Sequence, residues 1–161
     1  MESLFNQIVE PFYPNELTQE ELERNLPGYD LSKPFMVLHK KDGDMIIQDV
    51  RRLSYDDGHI YLLGSKDDGM YKIGRTKSLK NRMKMLGVLM PFEVSLIHSF
   101  VTNDMVFAES KLHSFFGDYH LNGEWFQFED EQVEYVKNIL GFIWMRDVND
   151  YLTALKRAHR L

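Results

Sequence analysis

The sequence predicts an α+β fold: a small three-stranded antiparallel sheet flanked by helices, extended at the N-terminus by a helix and a β-hairpin. Three observations carry that expectation. Short apolar runs bounded by Asp-Gly or Gly-rich turns recur at 35–47 and 60–73, the stretch 92–100 alternates with period two, and apolar residues at helical spacing follow both later strands. The order strand, strand, helix, strand, helix, helix places helices over a small antiparallel sheet.

Taken in order, residues 1–57 form an accessory N-terminal segment. Pro11 and Pro14 open it, and Thr18-Gln19-Glu20-Glu21 reads as a capping box that starts a short helix ended by Pro27-Gly28. Phe35-Met36-Val37-Leu38 and Met45-Ile46-Ile47 flank Lys41-Asp42-Gly43-Asp44, a hairpin signal. Asp56-Asp57-Gly58 marks the boundary to a second unit, 58–161. There, Ile60-Tyr61-Leu62-Leu63 and Met70-Tyr71-Lys72-Ile73 make a second hairpin, and Leu79, Met83 and Leu86 mark the apolar face of a first helix. Phe92, Val94, Leu96, His98 and Phe100 form the buried side of a third strand.

Asn103 is placed as N-cap and Gly117 as stop of a second helix, whose stripe of Met105, Leu112 and Phe116, with Ala108 and Phe115 beside it, also contains Glu109. A carboxylate in an apolar stripe is an anomaly. A third helix is expected at about 131–140 and a closing one at 148–159.

Composition narrows the function. At 161 residues, with 43% hydrophobic and 27% charged residues, the chain suits one soluble core. Apolar runs such as Phe142-Ile143-Trp144-Met145 are far too short to span a bilayer, and Met1-Glu2-Ser3 lacks a signal-peptide pattern, so the expectation is a cytoplasmic or nucleoid location with no membrane partner. With no cysteine, thiolate zinc sites, disulfides and cysteine nucleophiles are excluded. His98 and His120 lack partners at ligand spacing, which argues against zinc altogether.

The net charge of −6 disfavours a generic nucleic-acid binder. Its distribution reverses that reading. Residues 1–58 carry 6 basic against 12 acidic side chains, 59–161 carry 13 of each, and 69–92 hold Lys72, Arg75, Lys77, Lys80, Arg82 and Lys84 with no acidic residue. Such a run is either a solvated helix face or a local patch for a phosphodiester.

Phosphodiester hydrolysis needs an activated water, neutralised non-bridging oxygens and help for the leaving oxygen. In a hairpin, Tyr61 and Lys72 share a sheet face, where an ammonium would draw the phenol below its usual pKa of about 10 and make Tyr61 a base or water positioner. Arg82 would hold a phosphate oxygen through its fork of donors, and Glu109 would anchor one hydrated Mg²⁺ or Mn²⁺. Each has a plainer reading: Tyr61 as a strand aromatic, Lys72 and Arg82 as solvated charges, Glu109 in an ion pair. His113 is a hydrogen-bond support for Glu109 or part of the core, and Trp125 and Phe126 are core anchors.

Ile60-Tyr61, Lys72-Ile73-Gly74, Asn81-Arg82 and Glu109, in that order and spacing, resemble the core of GIY-YIG nucleases. Tyr71-Lys72-Ile73-Gly74-Arg75-Thr76, Glu109-Ser110-Lys111-Leu112-His113 and Gly123-Glu124-Trp125-Phe126 are similar to the branch common in phage and bacterial reading frames. The resemblance runs from about His59 to Phe128. It departs from the family's pattern at Lys72, which replaces the second motif aromatic, with Tyr71 one position earlier and on the opposite face, and at Leu86, where some members carry histidine.

The resemblance implies a GIY-YIG-like fold and a metal-dependent DNA endonuclease. Tyr61, Lys72, Arg82 and Glu109 would be catalytic, Arg75, Lys77, Lys80 and Lys84 would hold substrate, and Tyr71, His113 and Asn122 would support the site. DNA is the expected partner, with a protein partner or a dimer to select the target, because no base-reading motif is present. The alternative is a catalytically inactive nucleic-acid or protein binding module. The acidic 1–57 segment would then, or in addition, cover the basic patch and regulate access.

Overall fold

The computed structural model describes residues 34–47, 56–65, 68–146, 149–150 and 153. Eight strands form one mixed sheet: β1 (Phe35–Lys40), β2 (Met45–Ile47), β3 (Gly58–Ser65), β4 (Met70–Thr76), β5 (Val94–Thr102), β6 (His120–Asn122), β7 (Trp125–Gln127) and β8 (Ile139–Met145). Three α-helices accompany it among the described residues: α1 (Leu79–Leu89), α2 (Met105–Phe115) and α3 (Asp130–Lys137). The strand order is β2-β1-β8-β5-β3-β4-β7-β6, and only the β5–β8 pair is parallel.

This corrects the expected small three-stranded sheet. β6 and β7 are three residues each, too short to display a period. The helix expected at about 131–140 would take in Ile139 and Leu140, the first residues of β8, yet α3 ends at Lys137, where Asn138 caps Glu134 O through both its backbone N–H (3.1 Å) and its Nδ2 (3.0 Å). The run Ile139–Met145 then suits an interior strand, because both its neighbours bury it: Val37↔Ile143 and Leu38↔Phe142 on the β1 side, Thr102↔Phe142 on the other. The N-terminal hairpin is thereby part of the same sheet. The expected helix at 18–27 lies outside the described residues, as does nearly all of that expected at 148–159.

The larger core lies on one face of the sheet. Ile60, Leu62, Ile73 and Phe100 are covered there by Phe107, Ala108 and Leu112 of α2 and by Val133 and Val136 of α3, and the layer continues through Met36, Leu38, Ile47 and Phe142. On the other face Tyr61 and Leu63 pack against Leu86 of α1, with Leu79 and Met83 beside it. The expected uniform alternation on β5 fails for a local reason. Leu62 pairs with His98 but Leu63 with Leu96, so Ile97 is an inserted residue, and the bulge turns Leu96 to the face opposite His98 and Phe100.

Helix α2 is capped by Asp104, whose carboxylate accepts from Phe107 N at 3.3 Å, and not by Asn103. Asn103 instead ties the β5–α2 turn to β8, donating to Trp144 O at 2.8 Å and accepting from Trp144 N at 2.7 Å. No helix among the described residues is long and apolar enough to cross a membrane.

Candidate functional site

The β3–β4 register sets Tyr61 opposite Gly74 and Leu63 opposite Lys72. Directly opposed residues share a face, so Tyr61 and Lys72 do point to the same side of the sheet, the side carrying α1. Gly74 is needed there: a β-carbon at this position would overlap the Tyr61 hydroxyl and ring, so only glycine lets the phenol lie across β4. Tyr71 faces the other way, stacked on Phe128 at 5.8 Å in the main core.

Beyond β4 the chain turns at Thr76 and enters α1. Thr76 Oγ1 accepts from Ser78 N (3.2 Å) and donates to Ser78 O (3.1 Å), and Ser78 Oγ accepts from Asn81 N at 3.4 Å as the helix cap. The first turn of α1 contains no acidic residue, so its positive dipole end is uncompensated by side chains of its own. It opens on a cleft of about 560 Å³ lined by Tyr61, Arg75, Lys77, Asn81, Arg82 and Glu124, among others.

Glu124 is quoted in the sequence only within the Gly123-Glu124-Trp125-Phe126 motif and is given no role at the site there. It enters because β7 pairs with β4, Lys72↔Trp125, and because Ile73 N donates to Glu124 O at 3.1 Å. Gly123, at φ 58°, makes the turn that brings β7 back after β6. The Glu124 carboxylate is ion-paired to Lys72 Nζ and also faces the cleft. The signal available in the sequence was the Gly-Glu pair directly before two aromatic residues, but its partner strand is 52 residues away from it in the chain.

Glu109 projects from α2 and is 7% exposed. Its Oε1 accepts from Arg75 Nη1 at 3.0 Å, whereas its Oε2 is buried without a hydrogen-bond partner. Burial first, and the Glu124 charge second, raise its pKa above the usual carboxylate value, partly offset by Arg75 and His113. The plainer reading of this residue, an ion pair, holds for one oxygen only, with Arg75 as the partner. His113 Nε2 donates to Ile73 O at 2.8 Å and the ring meets Phe126 edge-on at 5.0 Å, which fixes it between α2 and the sheet.

The expected lowering of the Tyr61 pKa by Lys72 does not occur. Burial first and Glu124 second push the phenol up to about 12, with Arg82 opposing them and Glu109 adding the smallest upward effect. Lys72 is engaged by Glu124, and the cation acting on the phenol is Arg82.

Tyr61, Arg75, Lys77 and Arg82 thus line one cleft, with Lys72 and Glu109 each one ion pair behind its wall. Lys77 lies 3.5 Å from Asp56. Lys80 and Lys84 are exposed on α1, outside the lining, and Asn122 is exposed on β6. No group of three or more His, Cys, Asp or Glu is clustered for a metal among the described residues. A hard divalent cation that keeps most of its waters requires only one or two carboxylates; Glu109 suits it by donor type, with its unpartnered Oε2 buried behind the Arg75 ion pair and outside the cleft lining.

No curated protein and no solved structure matches the chain. One family model does, the T5orf172 domain, over residues 58–143, from the first residue of β3 into β8. This overturns the resemblance to GIY-YIG nucleases: the matching family is a different one, and the short motifs behind the resemblance do not determine membership. T5orf172 domains are nuclease-like, DNA-binding-associated modules. With more than half of its 161 residues matched by that model, the chain belongs to the T5orf172 domain family.

Proposed function

We propose that the protein hydrolyses DNA phosphodiester bonds in the cleft between α1 and the C-terminal end of β4, with one hydrated Mg²⁺ or Mn²⁺ anchored by Glu109. The observation that carries this reading is the buried, unpartnered Glu109 Oε2, since an acceptor stripped of water and left without a donor costs about 1–3 kcal/mol unless something else satisfies it. A divalent cation would satisfy it, and when bound would supply Lewis acidity at the phosphate and a water of lowered pKa.

The chain's own groups have distinct tasks in this reading. Arg82 holds a non-bridging oxygen, aided by the first turn of α1, which favours an anion. Tyr61, a neutral phenol at neutral pH because its pKa is about 12, donates a hydrogen bond to the phosphate instead of acting as a base. Glu124 keeps Lys72 at the cleft margin, where the ammonium offsets charge on the leaving oxygen. Lys77, Lys80 and Lys84 contribute to the attraction of the strand along α1.

A second reading has an observation of its own. Arg75 occupies Glu109 Oε1 and Lys72 occupies Glu124, so both carboxylates already have cationic partners, as a binding module without catalysis would allow. The test is to incubate the protein and its Glu109→Ala variant with supercoiled and single-stranded DNA in Mg²⁺, Mn²⁺ or chelator. Metal-dependent nicking lost in the variant supports hydrolysis; DNA binding with no cleavage under any condition supports the binding module.

A further inference from the structure

Beside the cleft is an apolar surface that phosphate chemistry does not use. On α1, Arg82 and Met85 line the cleft, and the following turn presents Val88 and Leu89, 84% and 67% exposed. Immediately after the helix comes Phe92, 38% exposed, whose ring meets that of half-buried Trp125 at 5.4 Å in an edge-to-face arrangement. Trp125 follows Glu124 of the cleft wall in sequence and pairs across the sheet with Lys72. Through Lys72 and Leu63, Trp125 thus faces the same side of the sheet as Tyr61 of the cleft, and the exposed ring of Phe92 packs against it.

A paired DNA duplex has its base faces stacked and offers an aromatic ring little but groove edges. An unpaired base offers a π-face of its own. In an edge-to-face pair one ring uses only its edge, so its faces are not consumed by the pair. We propose that Phe92 and Trp125 form a stacking platform for one unpaired nucleobase of a DNA strand whose phosphates lie in the cleft; this rests on the reading of the cleft as a phosphodiester site. The substrate class is accordingly DNA with single-stranded character at the cleavage point, such as a flap, gap or unwound end. The exposed turn at Val88 and Leu89 borders the path of the neighbouring nucleotide.

The experiment measures binding of the full chain, in chelator so that nothing is cut, to a labelled oligothymidylate, an abasic strand of equal length and a blunt duplex. The platform requires thymidylate to bind about tenfold more tightly than the abasic strand, the equivalent of stacking one base. Phe92→Ala and Phe92→Leu should both lower thymidylate affinity to the abasic level, Phe92→Tyr should retain it, and Arg82→Ala should weaken both strands equally. Because leucine keeps the apolar volume, its behaviour separates a lost π-face from a lost fold. Equal binding of thymidylate and abasic strands by the unaltered protein, still weakened by Arg82→Ala, overturns the platform and leaves the cleft reading standing. No binding of any strand overturns both. A dimer that excludes thymidylate and dissolves on Val88→Asp would assign the surface to a second copy of the chain and overturn the platform as well.

Discussion

Glu109 sits where helix geometry aims it at the sheet, one turn before His113 and three residues before fully buried Leu112. Its pKa is raised above 4.5, so ionisation is penalised in the folded protein relative to the unfolded chain. The stabilising contribution of the protonated form is complete below the unfolded value and is lost as pH rises through the raised folded value. Glu109→Gln removes that dependence. Its stability relative to the natural protein should therefore grow as pH rises from below the ordinary carboxylate value through the raised folded one, in urea titrations without metal. Saturating Mn²⁺ should reverse the ranking, because it stabilises only the carboxylate form. At Gly74 the prediction is steric: Gly74→Ala should displace the Tyr61 ring at a cost of about 1–3 kcal/mol and reduce cleavage as far as Tyr61→Phe does, roughly 10–100-fold. Equal cleavage by Gly74→Ala and the natural protein would remove Tyr61 from the site.

At the scale of elements, α1 carries the electrostatics. Arg82→Ala should lower the slope of log affinity against log salt by about 1, as expected for one lost phosphate contact, whereas Asn122→Ala on exposed β6 should leave the slope unchanged. The β5–α2 turn carries stability: Asn103→Ala removes both hydrogen bonds to Trp144 and should cost about 1–3 kcal/mol in urea unfolding. Much of this level was legible beforehand. The two hairpins, α1, α2 and the start of α3 all announce themselves through turn residues and apolar spacing. Asn103 was assigned the cap that Asp104 holds, since either side chain can accept from a helix N–H and only the position of Trp144 on β8 decides between them. β8 itself was missed because an apolar run of seven residues has no period of its own; its strand form depends on β1 and β5 lying on either side.

For the whole molecule, the sheet joins what the sequence divides. The charge asymmetry and Asp56-Asp57-Gly58 suggest a boundary near residue 57, and the T5orf172 match begins at residue 58. β1 nonetheless pairs with β8 along its length, Lys41 N donates to Asn138 O at 2.9 Å, and Met36, Leu38 and Ile47 belong to the main core. A chain shortened to 58–161 would expose the β8 edge and lose those side chains, so it should aggregate or unfold at a temperature at least roughly 10 °C lower, as calorimetry would show. The site was legible where its residues are local, Tyr61 to Arg82, and illegible where it depends on long-range pairing. Glu124 reaches Lys72 only through β7, and burial, which no motif reveals, makes Tyr61 a weaker acid instead of a stronger one. The central claim, that Glu109 holds a divalent cation, is tested most directly by titrating Mn²⁺ into the natural protein and into Glu109→Gln while recording free Mn²⁺ by electron paramagnetic resonance. The account predicts one ion bound per chain and its loss in the variant; equal binding by both proteins would contradict it.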